Sequence, residues 1–445
     1  MPERKPQTKI LSTMGIICQD GRQTHGQLLG FGMIKIQSQI RATFMALLSA
    51  SVLAACQTAA PELTAEEEQA IYMERFNGLR SGELVAPALY SPRAMVPGAA
   101  DYTPLPDNPD APIAKDAIAK VEAYAEANNS TALFIWQGDG VVHETYFQGT
   151  DAASFVNSKS LAKPLSVFAF GRAIVEGFID SLDQSAADFI TEWKGDEGRE
   201  KIKVRTGLLP QGFNDDPADV LNLAYLHPRH EEIIIADYPL THPPGSRYEY
   251  SNATSQLVAV VIERATGVRY EDWVSQEILQ PIGALGGEIW LNREGGTAHS
   301  GCCILLPAET YLRLAVLLIK DGTWGDARLL PEGYVAEMRT ATPQNPHAGM
   351  GVYVAGQYIS ERGTQHPDKD VGKVLHSEPY LAADLFLFDG NGHQAAYIIP
   401  SADLIIFRSG AWPTNGERWD HTMIPNTILR GIEFADGRTI EPQPR

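Results

Sequence analysis

Ser160 and Lys163 stand three residues apart in Ser160-Leu161-Ala162-Lys163, and Tyr250-Ser251-Asn252 follows about ninety residues later. Positions i and i+3 share one face of a helix, so this spacing brings the serine hydroxyl within reach of the lysine amine. A serine hydroxyl attacks a carbonyl only when a neighbouring base takes its proton, and a lysine does that when it is uncharged. A tyrosine beside the pair is able to share that proton and hand it to a leaving group. The chemistry expected of the trio is acyl transfer through a covalent serine intermediate, with Ser160 as nucleophile, Lys163 as base and Tyr250 as proton shuttle. Asn252 is expected to hydrogen-bond Lys163 or the substrate carbonyl; the same residue type is also common in plain turns.

The surrounding sequence supplies elements able to hold these groups. Ser160 precedes an apolar run, Leu165 to Phe170, that reads as a buried helix with the serine at its N-terminus. Tyr250 follows the turn Pro243-Pro244-Gly245 and precedes a helix that stops at Gly267, which puts the phenol on a loop pinned to a rigid element. A hairpin is expected from 131–137 and 141–147, and antiparallel strands from 385–388, 395–399 and 404–408, with helices dominating from 161 to 284. Strands near both ends with helices between predict an α+β fold. Its antiparallel sheet is built from N- and C-terminal segments flanked by helices, with a mostly helical lobe inserted at about 155–300.

With these motifs in place, the chain resembles the class C β-lactamase and penicillin-binding-protein superfamily of serine hydrolases, most of all its esterase and 6-aminohexanoate-dimer-hydrolase branch. The anchors are Asn157 to Lys163, Pro244 to Asn252, Gly301-Cys302-Cys303, Asp384, Gly390 to Gln394 and the strands around Pro400, spanning roughly Ala111 to Phe434. The resemblance implies the β-lactamase/transpeptidase-like architecture, with the site in a cleft between lobes. The tetrahedral intermediate needs two donors for its oxyanion. The Ser160 backbone N–H is one candidate, and the second is expected from the edge of the strand following Gly390 to Gln394. A Lys-Thr-Gly, or a His-containing substitute, holds this place in the family, and no Lys-Thr-Gly occurs here. His393 and Asn391 are the alternatives for it, with Gln394 beside them.

That departure bears on substrate, because a Lys-Thr-Gly supplies the cation that pairs with the carboxylate of β-lactams and peptidoglycan peptides. Carboxylic esters or short amides are therefore the expected substrates. β-Lactamase or D,D-peptidase activity, or a catalytically inactive binder of cell-wall fragments, are the alternatives. A second departure is Pro164, which disfavours the α conformation in Lys163 before it. Gly-x-Ser-x-Gly, His-Glu-x-x-His, zinc-spaced cysteines and a phosphate-cradling glycine loop do not occur, and His227-Pro228-Arg229-His230 reads as a polar loop, so no cofactor or metal is expected.

The formal charge is -19, and the segment before Cys56 has six Lys/Arg against two Asp/Glu, so the acidic excess lies in the body. Such a surface repels phosphate backbones, which argues against nucleic acid as a partner. Lys35 and Arg41 precede an apolar run, Ala42 to Ala55, too short to span a bilayer, that ends in Leu53-Ala54-Ala55-Cys56. This resembles a bacterial lipoprotein signal. It implies lipidation of Cys56 and membrane attachment in the cell envelope; Gln57 after it favours the outer membrane, facing the periplasm. The expected organisation is a leader at 1–55 with Met33 as the working start, an acidic and Pro-rich tether at 56–112, the hydrolase domain at 113–435 and a tail at 436–445. Cys302 and Cys303 are too close in sequence for ordinary disulfide geometry, so two buried thiols are expected there.

Overall fold

The computed structural model describes residues 62–445 apart from 81–89, 204–205, 211, 368–371 and 415. Cys56 and the leader lie outside the described residues. In chain order the strands are β1 (Arg93–Val96), β2 (Ser130–Gln137), β3 (Gly140–Tyr146), β4 (Phe155–Asn157), β5 (Gly287–Trp290), β6 (Ile304–Pro307), β7 (Thr323–Trp324), β8 (Ala327–Arg328), β9 (Tyr353–Val354), β10 (Glu361–Gly363), β11 (Lys373–Leu375), β12 (Phe386–Gly390), β13 (Gln394–Ile399) and β14 (Leu404–Gly410). The helices are α1 (Ala65–Arg80), α2 (Lys115–Ala127), α3 (Ala162–Val175), α4 (Val220–Leu226), α5 (His230–Ala236), α6 (Asn252–Thr266), α7 (Tyr270–Val274), α8 (Ala308–Ile319), α9 (Tyr334–Met338) and α10 (Met423–Arg430).

Six strands form the main antiparallel sheet in the order β3-β2-β14-β13-β12-β9. The N-terminal hairpin meets the C-terminal meander where β2 pairs with β14, Phe134 opposite Phe407. Side chains alternate across a strand, and both faces of this sheet are apolar. Phe134, Trp136, Phe407 and Phe388 join the cluster that includes α3 and α8 residues, while Leu133, Ile135, Ile406 and Tyr397 join the one that includes α2 and α10 residues. Coverage on both sides explains why these strands read as nearly continuous hydrophobic runs. This is the expected α+β, β-lactamase/transpeptidase-like architecture.

A second sheet, β1-β5-β6-β4, is what aims the site. Its edge strand β4 pairs with β6 and runs straight into the turn that carries Ser160. Helices α4 to α7 and short 3-10 turns between 186 and 201 make the inserted lobe.

Part of the stretch read as a tether is folded onto the body. In α1, Tyr72 and Phe76 are buried in a cluster with Tyr225, Leu226 and Trp290, and Arg75 donates to the carbonyls of Leu226, Asn292 and Ser91. β1 pairs along β5. The expectation of two buried thiols is corrected, since Cys302 and Cys303 are joined as a vicinal disulfide. The Tyr225 hydroxyl lies 2.9 Å from Cys302 Sγ, and the bridge is buried against aromatic rings.

Candidate active site

Ser160 sits in a single 3-10 turn, Lys159–Leu161, that passes directly into α3. Two hydrogen bonds and one backbone conformation fix the turn from below. The Ser158 N–H donates to the Ile304 carbonyl, the Ile304 N–H donates to Ser158 Oγ at 3.1 Å, and Lys159 adopts φ 48°. Pro164 falls in the first turn of α3, where a missing N–H costs nothing. It does not carry Lys163 away, for Nζ lies 3.2 Å from Ser160 Oγ.

Tyr250 and Asn252 flank a helix cap. Ser251 Oγ accepts the Thr254 N–H at 3.3 Å, so Ser251 is the N-cap of α6 and Asn252 its first residue. The Tyr250 N–H donates to the Gln365 carbonyl, which pins the residue before the cap. Its hydroxyl lies 2.6 Å from Ser160 Oγ. Lys163 Nζ donates to Asn252 Oδ1 and to the Gly301 carbonyl, each at 2.9 Å, and lies 4.6 Å from the centre of the Tyr250 ring. Four residues from three segments thus meet around one hydroxyl.

The electrostatics set where the protons reside. Burial lowers the Lys163 pKa to about 7, because an ammonium loses hydration there that its three acceptors only partly replace. Burial moves Tyr250 the other way, well above the ordinary phenol value, with its bond to Ser160 opposing. Near neutral pH the phenol therefore keeps its proton while a large fraction of Lys163 is a free amine. Such an arrangement can deprotonate a serine without a metal, and no cluster of metal-ligating side chains occurs among the described residues.

The turn after β12 is the third wall. A Cβ on Gly390 would stand 3.0 Å from the Ser158 carbonyl oxygen and 3.3 Å from the Leu161 side chain, so any larger residue would push this strand end and the serine turn a few tenths of an ångström apart. Asn391 is exposed at the tip of the turn. Gln394 Nε2 donates to the Asn157 carbonyl at 2.5 Å, bracing the start of β13 against β4. His393, at φ 59°, is buried instead among aromatic rings, 4.3 Å from Trp412 and 5.8 Å from Trp419 by ring centres. Burial lowers its pKa to about 4, so the imidazole is uncharged. Arg408 holds this turn from behind. Its guanidinium donates to the carbonyls of Gly392, His393, Asn128 and Ala411 and to Ser130 Oγ.

Two features escaped the sequence reading. Asp389, beside Gly390, lines the cavity at Ser160 and pairs at 2.6 Å with Arg362, both side chains nearly inaccessible. Lys159, the neighbour of Ser160, directs its amine to the Tyr90 hydroxyl, and burial lowers its pKa to about 8. Spacing gives no hint of either, because the partners come from strands and loops far apart in the chain.

An antiparallel sheet backed by helices, with a helical lobe set into it and a serine at the start of a helix between them, defines the transpeptidase-like class of fold. The chain belongs to the Beta-lactamase family, whose model matches residues 118–409, and it is a hydrolase by that membership. It is 25% identical over 402 residues to the 6-aminohexanoate-dimer hydrolase of Paenarthrobacter ureafaciens, covering 83% of this chain and 94% of that one. Among solved structures, a Bacillus anthracis chain assigned as a 6-aminohexanoate-dimer hydrolase superposes with a TM-score of 0.59 at 17% identity, over 77% of this chain and 91% of that one. EstCE1, a hydrolase with promiscuous acyltransferase activity, superposes with a TM-score of 0.53 at 15% identity, over 71% and 98%.

Proposed function

We propose that this protein is a serine hydrolase that forms an acyl-enzyme on Ser160 and cleaves carboxylic esters or short amides. The observation that carries the reading is the position of one hydroxyl, Ser160 Oγ, 2.6 Å from the Tyr250 phenol and 3.2 Å from the Lys163 amine. The uncharged amine takes the serine proton as Oγ bonds to the substrate carbonyl carbon. The Ser160 backbone N–H and the Asn391 N–H, at the turn that Gly390 lets close on the serine, are the oxyanion donors assigned here. Tyr250 passes a proton to the departing alcohol or amine, whose bond to the acyl carbon breaks, and the Lys163 ammonium gives its extra proton back to the phenolate, so that amine and phenol are both restored. Water then repeats the sequence on the acyl-enzyme and releases the acid. His393 is assigned a packing role, and Gln394 braces the turn.

The substrate class draws support from two sides. Where a Lys-Thr-Gly would present a cation to a carboxylate, β12 ends in Asp389-Gly390, and the cations Arg362 and Arg247 are already paired, with Asp389 and Glu249. The relatives include a 6-aminohexanoate-dimer hydrolase and a hydrolase with acyltransferase activity. Ser160→Ala should abolish hydrolysis of a chromogenic ester and the one-adduct mass gain from a fluorophosphonate, with the circular dichroism unchanged; turnover or labelling that survives would overturn the assignment. We also propose that Cys56 is lipidated and holds the enzyme at the bacterial envelope, on the strength of Leu53-Ala54-Ala55-Cys56.

A further inference from the structure

The cavity that opens on Ser160 encloses about 920 Å³ and extends well beyond the reacting groups. Ser160, in the turn that leads into α3, and Lys163, Val167 and Phe170 on α3 all line it, and the last three, at i, i+4 and i+7, form one stripe of the helix. From Lys163 to Phe170 that stripe runs about 10 Å at a rise of about 1.5 Å per residue. On α6 the lining passes in the same sense, from Thr254 and Ser255 near Asn252 to Val258 and Val261. Both helices thus start polar beside the amine and turn apolar away from it. Leu182, Phe189 and Met350 line the same cavity, each partly accessible and packed against the main core. Among the charged groups that line it, Asp183, Lys201, Lys203, Arg247 and Glu337 are exposed; Asp183 pairs with Lys203 at 3.3 Å, Glu249 with Arg247 at 2.7 Å and Asp389 with Arg362 at 2.6 Å.

We infer that this groove holds the acyl chain of the substrate as an uncharged, unbranched hydrocarbon, and that the enzyme prefers medium-chain acyl groups, near eight carbons, over acetyl. This rests on the acyl-enzyme reading of Ser160. The acyl part stays bonded to Ser160 while the alcohol leaves and water enters, so the part that remains belongs in the groove alongside α3 and the part that exchanges belongs at the open mouth. Carbon–carbon bonds of about 1.5 Å advance a zigzag chain roughly 1.25 Å per methylene, which matches the apolar stripe to about eight carbons. A charge at the chain's end would lose hydration beside Phe170 and Leu182, a cost that an exposed, hydrated carboxylate such as Asp183 or Glu337 offsets only weakly.

The test is kcat/KM for p-nitrophenyl esters from acetyl to octanoyl, with alkyl octanoates of varied alcohol as the second series. Burial of each methylene should raise kcat/KM roughly two- to fourfold along the acyl series, and 6-aminohexanoyl should fall at least about tenfold below hexanoyl. Leu182→Trp and Val258→Phe, both at residues that line the groove, should each cut the octanoyl-to-acetyl ratio about tenfold or more, the first serving if the second misfolds. A total gain below about twofold from acetyl to octanoyl, a gain that follows the alcohol, or an unchanged ratio in a folded variant overturns the inference. Fluorophosphonate labelling of Ser160 separates the two failures: label with a flat series rejects the acyl groove alone, while no label and no turnover rejects the nucleophile.

Discussion

Asn252 offers a test in which two substitutions push one quantity in opposite directions. Its Oδ1 accepts a hydrogen from Lys163 Nζ at 2.9 Å. An ammonium has three hydrogens to give and a free amine two, so the acceptor favours the charged form and holds the lysine pKa up against burial. Activity requires the free amine, and the acid limb of the pH profile should rise through about 7 in the natural protein. A hydrogen bond to a charged group contributes about 1.5–3 kcal/mol, and one pKa unit is about 1.4 kcal/mol. Asn252→Leu should therefore move the limb down by about one to two units, to roughly pH 5–6. Asn252→Asp places a carboxylate against the amine and should move it up by about one to three units, so that the rate at neutral pH falls and recovers in alkali. The assay is the pseudo-first-order rate of fluorophosphonate labelling between roughly pH 5 and pH 10, which isolates attack by Ser160 from deacylation. The quantity read is the midpoint of the limb, not its height, since lost positioning lowers both variants. Midpoints that stay together, or that separate in the reverse order, refute Lys163 as the base.

Tyr250→Phe keeps the ring beside Lys163 and removes the hydroxyl; kcat/KM should drop about 10²- to 10⁴-fold, more for an anilide than for a p-nitrophenyl ester, because the amine needs a proton to depart. Asp389→Asn leaves the Arg362 guanidinium buried without its counter-charge and should destabilise the protein by about 3–5 kcal/mol in denaturant titrations; the Arg362→Leu, Asp389→Leu pair should cost much less than twice that, and strict additivity would count against a coupled pair. Cys56→Ser should move the protein from the membrane fraction to the soluble one, and unchanged sedimentation would sink the anchor proposal.

How much of this was legible in the chain depended on whether contacts were local. Ser160 to Lys163 is one helical turn, and Tyr250 to Asn252 is a loop followed by a cap, so period and capping rules place each motif on its element. Their meeting across ninety residues came from the resemblance, because no periodicity encodes tertiary docking. The strands of the main sheet were readable as apolar runs, while their order required the β2–β14 pairing between distant segments. The turn after Gly390 was found but not resolved. Its residues differ in which side they face, and a two-residue shift there exchanges His393 among the tryptophans for Asn391 at the tip. The helical composition of α1 was readable at Thr64 to Leu79, while its docking was not: the sequence is largely polar, and the contact is made by a few residues such as Tyr72, Arg75 and Phe76.

Arg408 has a consequence for how catalysis is prepared. Its charge is met by backbone carbonyls and one hydroxyl, with no carboxylate among the groups it donates to. A cation held by fixed dipoles pulls on each of them continuously, whatever the pH between weak acid and weak base. The peptide units of Gly392 and His393 are therefore oriented whether or not a ligand is present, and the adjoining Asn391 N–H proposed as an oxyanion donor would need little rearrangement as negative charge develops. A lysine has three hydrogens on a single nitrogen, so it could not span those five acceptors, and the corner would loosen first at the moment when stiffness matters most.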